Sequence, residues 1–218
     1  MPTAGVRPRR PKAQGNGNGA RAQKSAERRQ AILTAALDEF SAQGFAAARL
    51  DDVARRAGVA KGTIYLHFRD KEALFQELIR SVLGPFVGTL EAALETDLPA
   101  RIVADQIVDL FVAEVYGTRR KDVIRLIVSE GPRFPKLAEF YYRQVLARVM
   151  AAVRAWMRRA IARGEVKDDA VVRFPQLVGA PAIVAILWHG LFDRFEPLDV
   201  KAFMHAHLDL VFGRTPCE

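Results

Sequence analysis

The stretch from Leu50 to Lys71 constrains the fold more tightly than any other part of the chain. Leu50, Val53, Ala54 and Ala57 recur at helical spacing, so a short first helix has one apolar face. Gly58 then supplies the backbone freedom that a tight turn between helices demands. Ile64 and Phe68 stand one turn apart on a second helix and can seat it on the first. Lys61, Gly62, Thr63, Tyr65, Leu66 and His67 are left around its outer side. That set mixes cation, hydroxyl, aromatic and small groups, which together suit phosphates and base edges. The segment reads as a helix-turn-helix whose second helix is dressed for the DNA major groove.

Charge points the same way. The formal net charge is +8 over 218 residues, but residues 1–75 hold 14 Lys+Arg against 7 Asp+Glu, and the remainder 19 against 18. A generally basic surface would spread the excess; here it lies in the third of the chain that holds the motif, which favours a polyanionic partner there. Residues 1–24 are rich in Pro, Gly, Asn and Ala, with Arg7, Arg9, Arg10, Lys12, Arg21 and Lys24 and no acidic residue. They are expected to be disordered alone, either as an arm that follows phosphates or enters the minor groove, or as an unselected tail. One cysteine, Cys217, excludes an intramolecular disulfide and any cysteine-based metal site. With no apolar signal core and no run long enough to span a bilayer, a cytoplasmic location is expected.

Helical spacing continues along the chain. Ser25 is an N-cap candidate for a helix through Gln43, ended by Gly44, with Leu33, Ala36, Leu37 and Phe40 inward. Asp70 caps a long helix beginning at Lys71, which Gly84-Pro85 should interrupt or kink before it resumes to about Glu95. Further helices are expected from Leu98-Pro99 to Tyr116, over 119–129, and from Phe134 to Arg163, closed by Gly164. Asp168 or Asp169 should start a helix reaching Leu191, and Asp199 to Phe212 is the last. No stretch alternates as a strand does, so the fold class is all-α.

The run Asp52-Val53-Ala54-Arg55-Arg56-Ala57-Gly58-Val59-Ala60-Lys61-Gly62-Thr63-Ile64-Tyr65-Leu66-His67-Phe68, followed by Asp70-Lys71-Glu72-Ala73-Leu74, resembles the TetR family of bacterial transcriptional regulators. The similarity extends from about Ala31 to Leu78. Arg133-Phe134-Pro135-Lys136-Leu137 and the helix after it are similar to the C-terminal half of AcrR- and AefR-like members. The resemblance implies that Lys61, Tyr65, His67 and Lys71 hold phosphates, while Gly62, Thr63 and Leu66 approach bases. Two positions depart from the family pattern. Ala60 stands where a hydroxyl usually caps the recognition helix, forgoing roughly 1 kcal/mol, and Arg49 stands near a second usual hydroxyl, whose phosphate contact its charge can replace.

The resemblance also implies an effector pocket in the C-terminal half. Phe86, Leu90, Phe111, Tyr116, Phe140, Tyr141, Trp156 and Phe174 are candidate walls, and their predominance favours an apolar or aromatic small molecule. The helix around Phe174–Leu191 and the last helix are apolar on more than one face, so a four-helix homodimer interface is expected from about 168–190 and 199–213, with Trp188, Leu191 and Phe192 contributing. His205 and His207, spaced i and i+2, point to different sides of a helix and make a poor metal pair. No glycine-rich phosphate loop, nucleophile elbow or metal-ligand pair is evident, so neither enzyme activity nor a cofactor is expected.

These readings converge on an N-terminal three-helix helix-turn-helix DNA-binding domain plus a C-terminal helical ligand-binding and dimerisation domain. Residues 1–24 are assigned to the basic arm, 25–72 to the DNA-binding domain and 73–218 to the effector and dimer domain. The expected function is a sequence-specific transcriptional regulator, a repressor released from a pseudo-palindromic operator in double-stranded DNA by a small-molecule effector, with no membrane association. A helical enzyme leaves the lopsided charge unexplained. A non-specific nucleoid protein predicts equal affinity for every duplex.

Overall fold

Apolar residues at helical spacing produce helices throughout the computed structural model, which describes residues 17–167 and 169–213; the chain is all-α, with no strand among the described residues. The helices are α1 (Gly17–Ala47), α2 (Leu50–Arg56), α3 (Lys61–His67), α4 (Lys71–Leu94), α5 (Ala100–Phe111), α6 (Arg120–Glu130), α7 (Pro135–Tyr141), α8 (Ala147–Ala162), α9 (Ala170–Arg173), α10 (Gln176–Leu191) and α11 (Val200–Phe212). The expectations on residues 1–16, Asp168 and Cys217 lie outside the described residues.

Several boundaries follow from local chemistry. The Asp70 carboxylate accepts from the Ala73 amide at 2.7 Å and opens α4, and Asp199 does the same for α11 through Ala202 at 3.0 Å. Gly44, at φ 74° and ψ 163°, breaks the regular course of α1 before its last residues.

The structure departs from the expected elements at several points. Residues 17–24 belong to α1 and are not a disordered arm, so that helix begins eight residues before Ser25. Ala, Arg, Gln, Lys and Glu dominate residues 20–30, and their intrinsic helix preference extends a helix already nucleated by the buried residues beyond it. Gly84-Pro85 does not interrupt α4, whose helical course includes Pro85. The single helix expected up to Leu191 is two, because Pro175 lacks an amide hydrogen and holds Phe174 out of helical geometry at φ −123° and ψ 73°. Two π-turns were not foreseen: Val112–Tyr116 prolongs α5, and Tyr142–Leu146 joins α7 to α8. Each widens a turn without any sequence marker.

Two apolar clusters make the core. The first joins Ile32, Phe40 and Phe45 of α1 to Val53, Ile64 and Phe68 of the helix-turn-helix, to Leu74, Phe75 and Leu78 of α4, and to Val123 and Leu137. Phe40, Phe45, Phe75 and Phe134 meet edge to face or tilted, with ring centroids 4.7 to 5.5 Å apart. The second cluster gathers Leu90, Val103, Phe111, Trp156, Met157, Ile186 and Met204. α4 threads both: Leu83 and Val87 belong to the first, Leu90 and Leu94 to the second, and Pro85 lies near the junction.

Candidate nucleic-acid interface

α2 ends where Gly58 turns to φ 66° and the Val59 amide donates back to the Ala54 carbonyl at 3.0 Å. The chain then re-enters helix at Lys61. Ala60 gives α3 no side-chain cap, as its sequence implies. Ile64 is fully buried and Phe68 nearly so, which seats α3 on α2 and anchors it in the first cluster. Every other member of the expected set is at least partly accessible: Lys61, Gly62 and Tyr65 are exposed, and Thr63 and His67 are half-buried. Leu66 is 86% exposed. An isolated leucine on the outside of a seven-residue helix does nothing for the fold, but it can lie against a thymine methyl.

Three cations flank this surface and behave differently. Lys61 pairs with Asp51 at 2.8 Å, a partner the sequence reading missed. That hydrogen bond and the carboxylate charge push the Lys61 ammonium above its ordinary value. Both side chains are substantially exposed, so the pair contributes little to stability and a phosphate can replace the carboxylate. Arg49 is exposed at the N-cap position of α2, without a capping bond of its own, and near enough to oppose the charge on Lys61.

Lys71, expected to hold a phosphate, is engaged within the chain. Its Nζ donates to the carbonyls of Ala46 at 2.8 Å and Ala48 at 3.0 Å, and sits 4.8 Å from the Phe45 ring centroid. Burial pushes this ammonium below the ordinary lysine value, with the Glu130 carboxylate opposing the shift. The break at Gly44 leaves carbonyls at the end of α1 that attract a cation, and Lys71 fills that place.

The eight aromatic and aliphatic wall candidates do not share one environment. Leu90, Phe111 and Trp156 lie in the second cluster, with Phe86 and Tyr116 packed against it. Trp156 is 1% exposed, 6.1 Å from the Phe212 ring, and its Nε1 has no hydrogen-bond partner. Burial raises the Tyr116 hydroxyl above its ordinary value, with Asp193 adding to the shift, and His189 Nδ1 is 3.4 Å from that oxygen. The other three lie outside that cluster. Phe140 and Tyr141 pack against the first cluster, where Arg80 covers Phe140 at 5.2 Å and burial pushes the Tyr141 hydroxyl to about 12. Phe174 is more than half exposed, turned out by the break at Pro175, with the Arg173 guanidinium 5.7 Å from its ring.

Among the dimer candidates, Leu191 and Phe192 are exposed. Trp188 is half-buried; its Nε1 donates to the Glu196 carbonyl at 2.7 Å and holds the turn after α10. His205 and His207 go separate ways, as their spacing implies: one faces Asp105 at 3.1 Å, the other the Leu177 carbonyl at 2.8 Å. No helix among the described residues is long and apolar enough to cross a membrane.

An all-α chain that carries an outward-facing α3 on a helix-turn-helix, coupled by one long helix to a second helical core, has the architecture of a DNA-binding transcriptional regulator. The chain belongs to the TetR family. Residues 32–78 match the model for bacterial regulatory proteins of the tetR family, and residues 94–211 match that for a tetracyclin repressor-like C-terminal domain. It is 28% identical over 174 residues to the HTH-type transcriptional regulator SrpR of Pseudomonas putida, covering 80% of each chain. It is 33% identical over 108 residues to AcrR of Shigella flexneri, covering 48% of this chain and 50% of that one. The crystal structure of the transcriptional regulator FadR from Bacillus subtilis, in complex with stearoyl-CoA, superposes with a TM-score of 0.70 at 21% identity, covering 85% of this chain and 99% of that one.

Proposed function

We propose that this protein is a homodimeric repressor that reads a pseudo-palindromic operator and leaves it when an apolar small molecule occupies the C-terminal core. The observation that carries the reading is α3: Ile64 alone of its residues is buried, and the rest of its surface is open to a groove. Lys61, Tyr65 and His67, with Arg49, contact phosphates; Gly62, Thr63 and Leu66 approach base edges. Two copies of α3 enter successive major grooves, about 34–36 Å apart.

A second copy of the chain covers the apolar faces that α10 and α11 leave open. Leu177, Ile183, Val184 and Leu191 are exposed on α10, and Leu210 is 85% exposed on α11, in line with the exposed Ala202 and Ala206. Two helices from each protomer then bury a shared apolar seam.

The effector site is built around Phe86, Leu90, Phe111, Tyr116 and Trp156. An indole N–H buried without an acceptor costs about 1–3 kcal/mol, and a ligand carbonyl offered to Trp156 Nε1 recovers it. The solved FadR complex, with its long acyl chain, supports an apolar ligand with such an acceptor. α4 joins this site to the helix-turn-helix, and the ligand acts by binding the DNA-incompetent geometry more tightly than the competent one. The Gly84-Pro85 step, between the two clusters, absorbs the shift.

Fluorescence anisotropy on duplexes from the DNA flanking its own gene, competed with random duplex, tests the reading. Specific fragments are expected to resist competition. Thr63→Ala changes sequence preference more than salt dependence, whereas Lys61→Ala lowers the salt slope by about one per protomer. Equal affinity for every duplex overturns operator reading.

A further inference from the structure

α1 begins at Gly17, yet its first buried residue is Ile32, and every side chain from Arg21 to Ala31 is exposed. No buried side chain holds these turns. Arg21, Lys24 and Arg28 recur at i, i+3 and i+7 on one face, and none has a hydrogen bond or ion pair with any described residue. Arg29 points elsewhere and is engaged: it pairs with Glu77 at 2.9 Å, and its guanidinium lies 5.8 Å from the ring of Phe68, the residue that closes α3. The helix therefore passes the C-terminal end of the recognition helix.

The direction of the free stripe follows from the residues that continue it. Lys24 and Arg28 share a helical row with Ala31 and Ala35, and those two alanines line a groove between α1 and α2 together with Arg56 and Ala57. The three cations thus prolong the flank of α1 that is turned toward the helix-turn-helix. An isolated helical run of this length is marginal in water, and Lys24 repels Arg28 one turn away. An anionic lipid surface would require a bulky apolar face beside the cations, and this run offers only alanines. A polyphosphate backbone requires no such face.

We infer that this prolongation of α1 is a second DNA-contacting element, in which Arg21, Lys24 and Arg28 lie along the phosphates flanking the site read by α3. It rests on the reading that α3 binds duplex DNA. It adds affinity and widens the footprint without adding base preference.

The test uses a duplex enriched from a random-sequence pool by the wild-type protein, in a long form and a form trimmed to the α3 half-sites. The triple variant Arg21→Ala, Lys24→Ala, Arg28→Ala keeps strong helix formers at exposed positions, so its fold is preserved, which circular dichroism checks. Its salt slope is expected to fall by about two to three per protomer, with affinity for the long duplex down about tenfold at modest salt and sequence preference unchanged. Trimming should weaken wild type but not the triple variant. Ala26→Pro keeps all three charges but breaks the helix between them, and should lose most of the same affinity. A triple variant with the wild-type slope, or an Ala26→Pro variant with wild-type affinity, overturns the inference. Wild type enriching no duplex at all overturns the α3 reading and this one with it; normal enrichment with an indifferent triple variant overturns this one alone.

Discussion

Lys71 shows that a residue expected to meet phosphate can also be engaged inside the chain. Its ammonium is drawn to the carbonyls of Ala46 and Ala48 and to the Phe45 face, which fastens the end of α1 to the start of α4. Lys71→Met should therefore lower stability by about 2 kcal/mol, the scale of a hydrogen bond from a charged donor. It should leave the salt slope of DNA binding unchanged, unlike Lys61→Ala. Thermal unfolding combined with a salt titration checks both; a slope that falls with stability intact would return Lys71 to the phosphate set. The outward side chains of α3 were legible because Ile64 and Phe68 alone carry its apolar spacing. The partners of Lys61 and Lys71 were not, since Asp51 and the carbonyls after Gly44 are brought close only by the turn between helices and the packing of α1 on α4.

Elements were legible where capping and apolar spacing agreed. Asp70 and Asp199 each precede a helix and each cap it. α5 has no such cap; the amide of Ala100 donates instead to Glu165 Oε2 at 2.6 Å, from 65 residues away. A hydrogen bond from Arg163 and the Ala100 amide hold this carboxylate below its ordinary value. A lowered acid pKa stabilises the fold above the ordinary glutamate range and loses that contribution as pH falls through the folded value. Glu165→Gln keeps an acceptor for the Ala100 amide but removes the charge, and should cost less than the ~1 kcal/mol of a lost cap near neutral pH. In urea unfolding at about pH 7 and about pH 3, the gap between variant and wild type should close at the lower pH; a gap of equal size at both would show that the charge of Glu165 does not matter. The prolongation of α1 escaped the sequence reading for the opposite reason. Low apolar content argues for disorder, while intrinsic helix preference continues a helix that the core has already nucleated.

At the scale of the molecule, the all-α class and the split between a helix-turn-helix domain and a helical C-terminal domain were readable from spacing and charge. The distribution of aromatic residues between the two clusters was not. Phe140 and Tyr141, at the end of α7, pack against the first cluster, which no periodicity announces. The open faces of α10 and α11 give a prediction at this scale. Leu210→Glu places a charge in the proposed seam and should yield monomers by sedimentation that fold normally but no longer hold an operator; dimers of unchanged strength would remove α11 from the interface. The central claim, that two copies of α3 read one site, is tested most directly by hydroxyl-radical footprinting of the folded protein on DNA flanking its own gene. The account predicts two protected patches about one helical turn apart, related by approximate two-fold symmetry. Uniform cleavage of every fragment at modest ionic strength would contradict it.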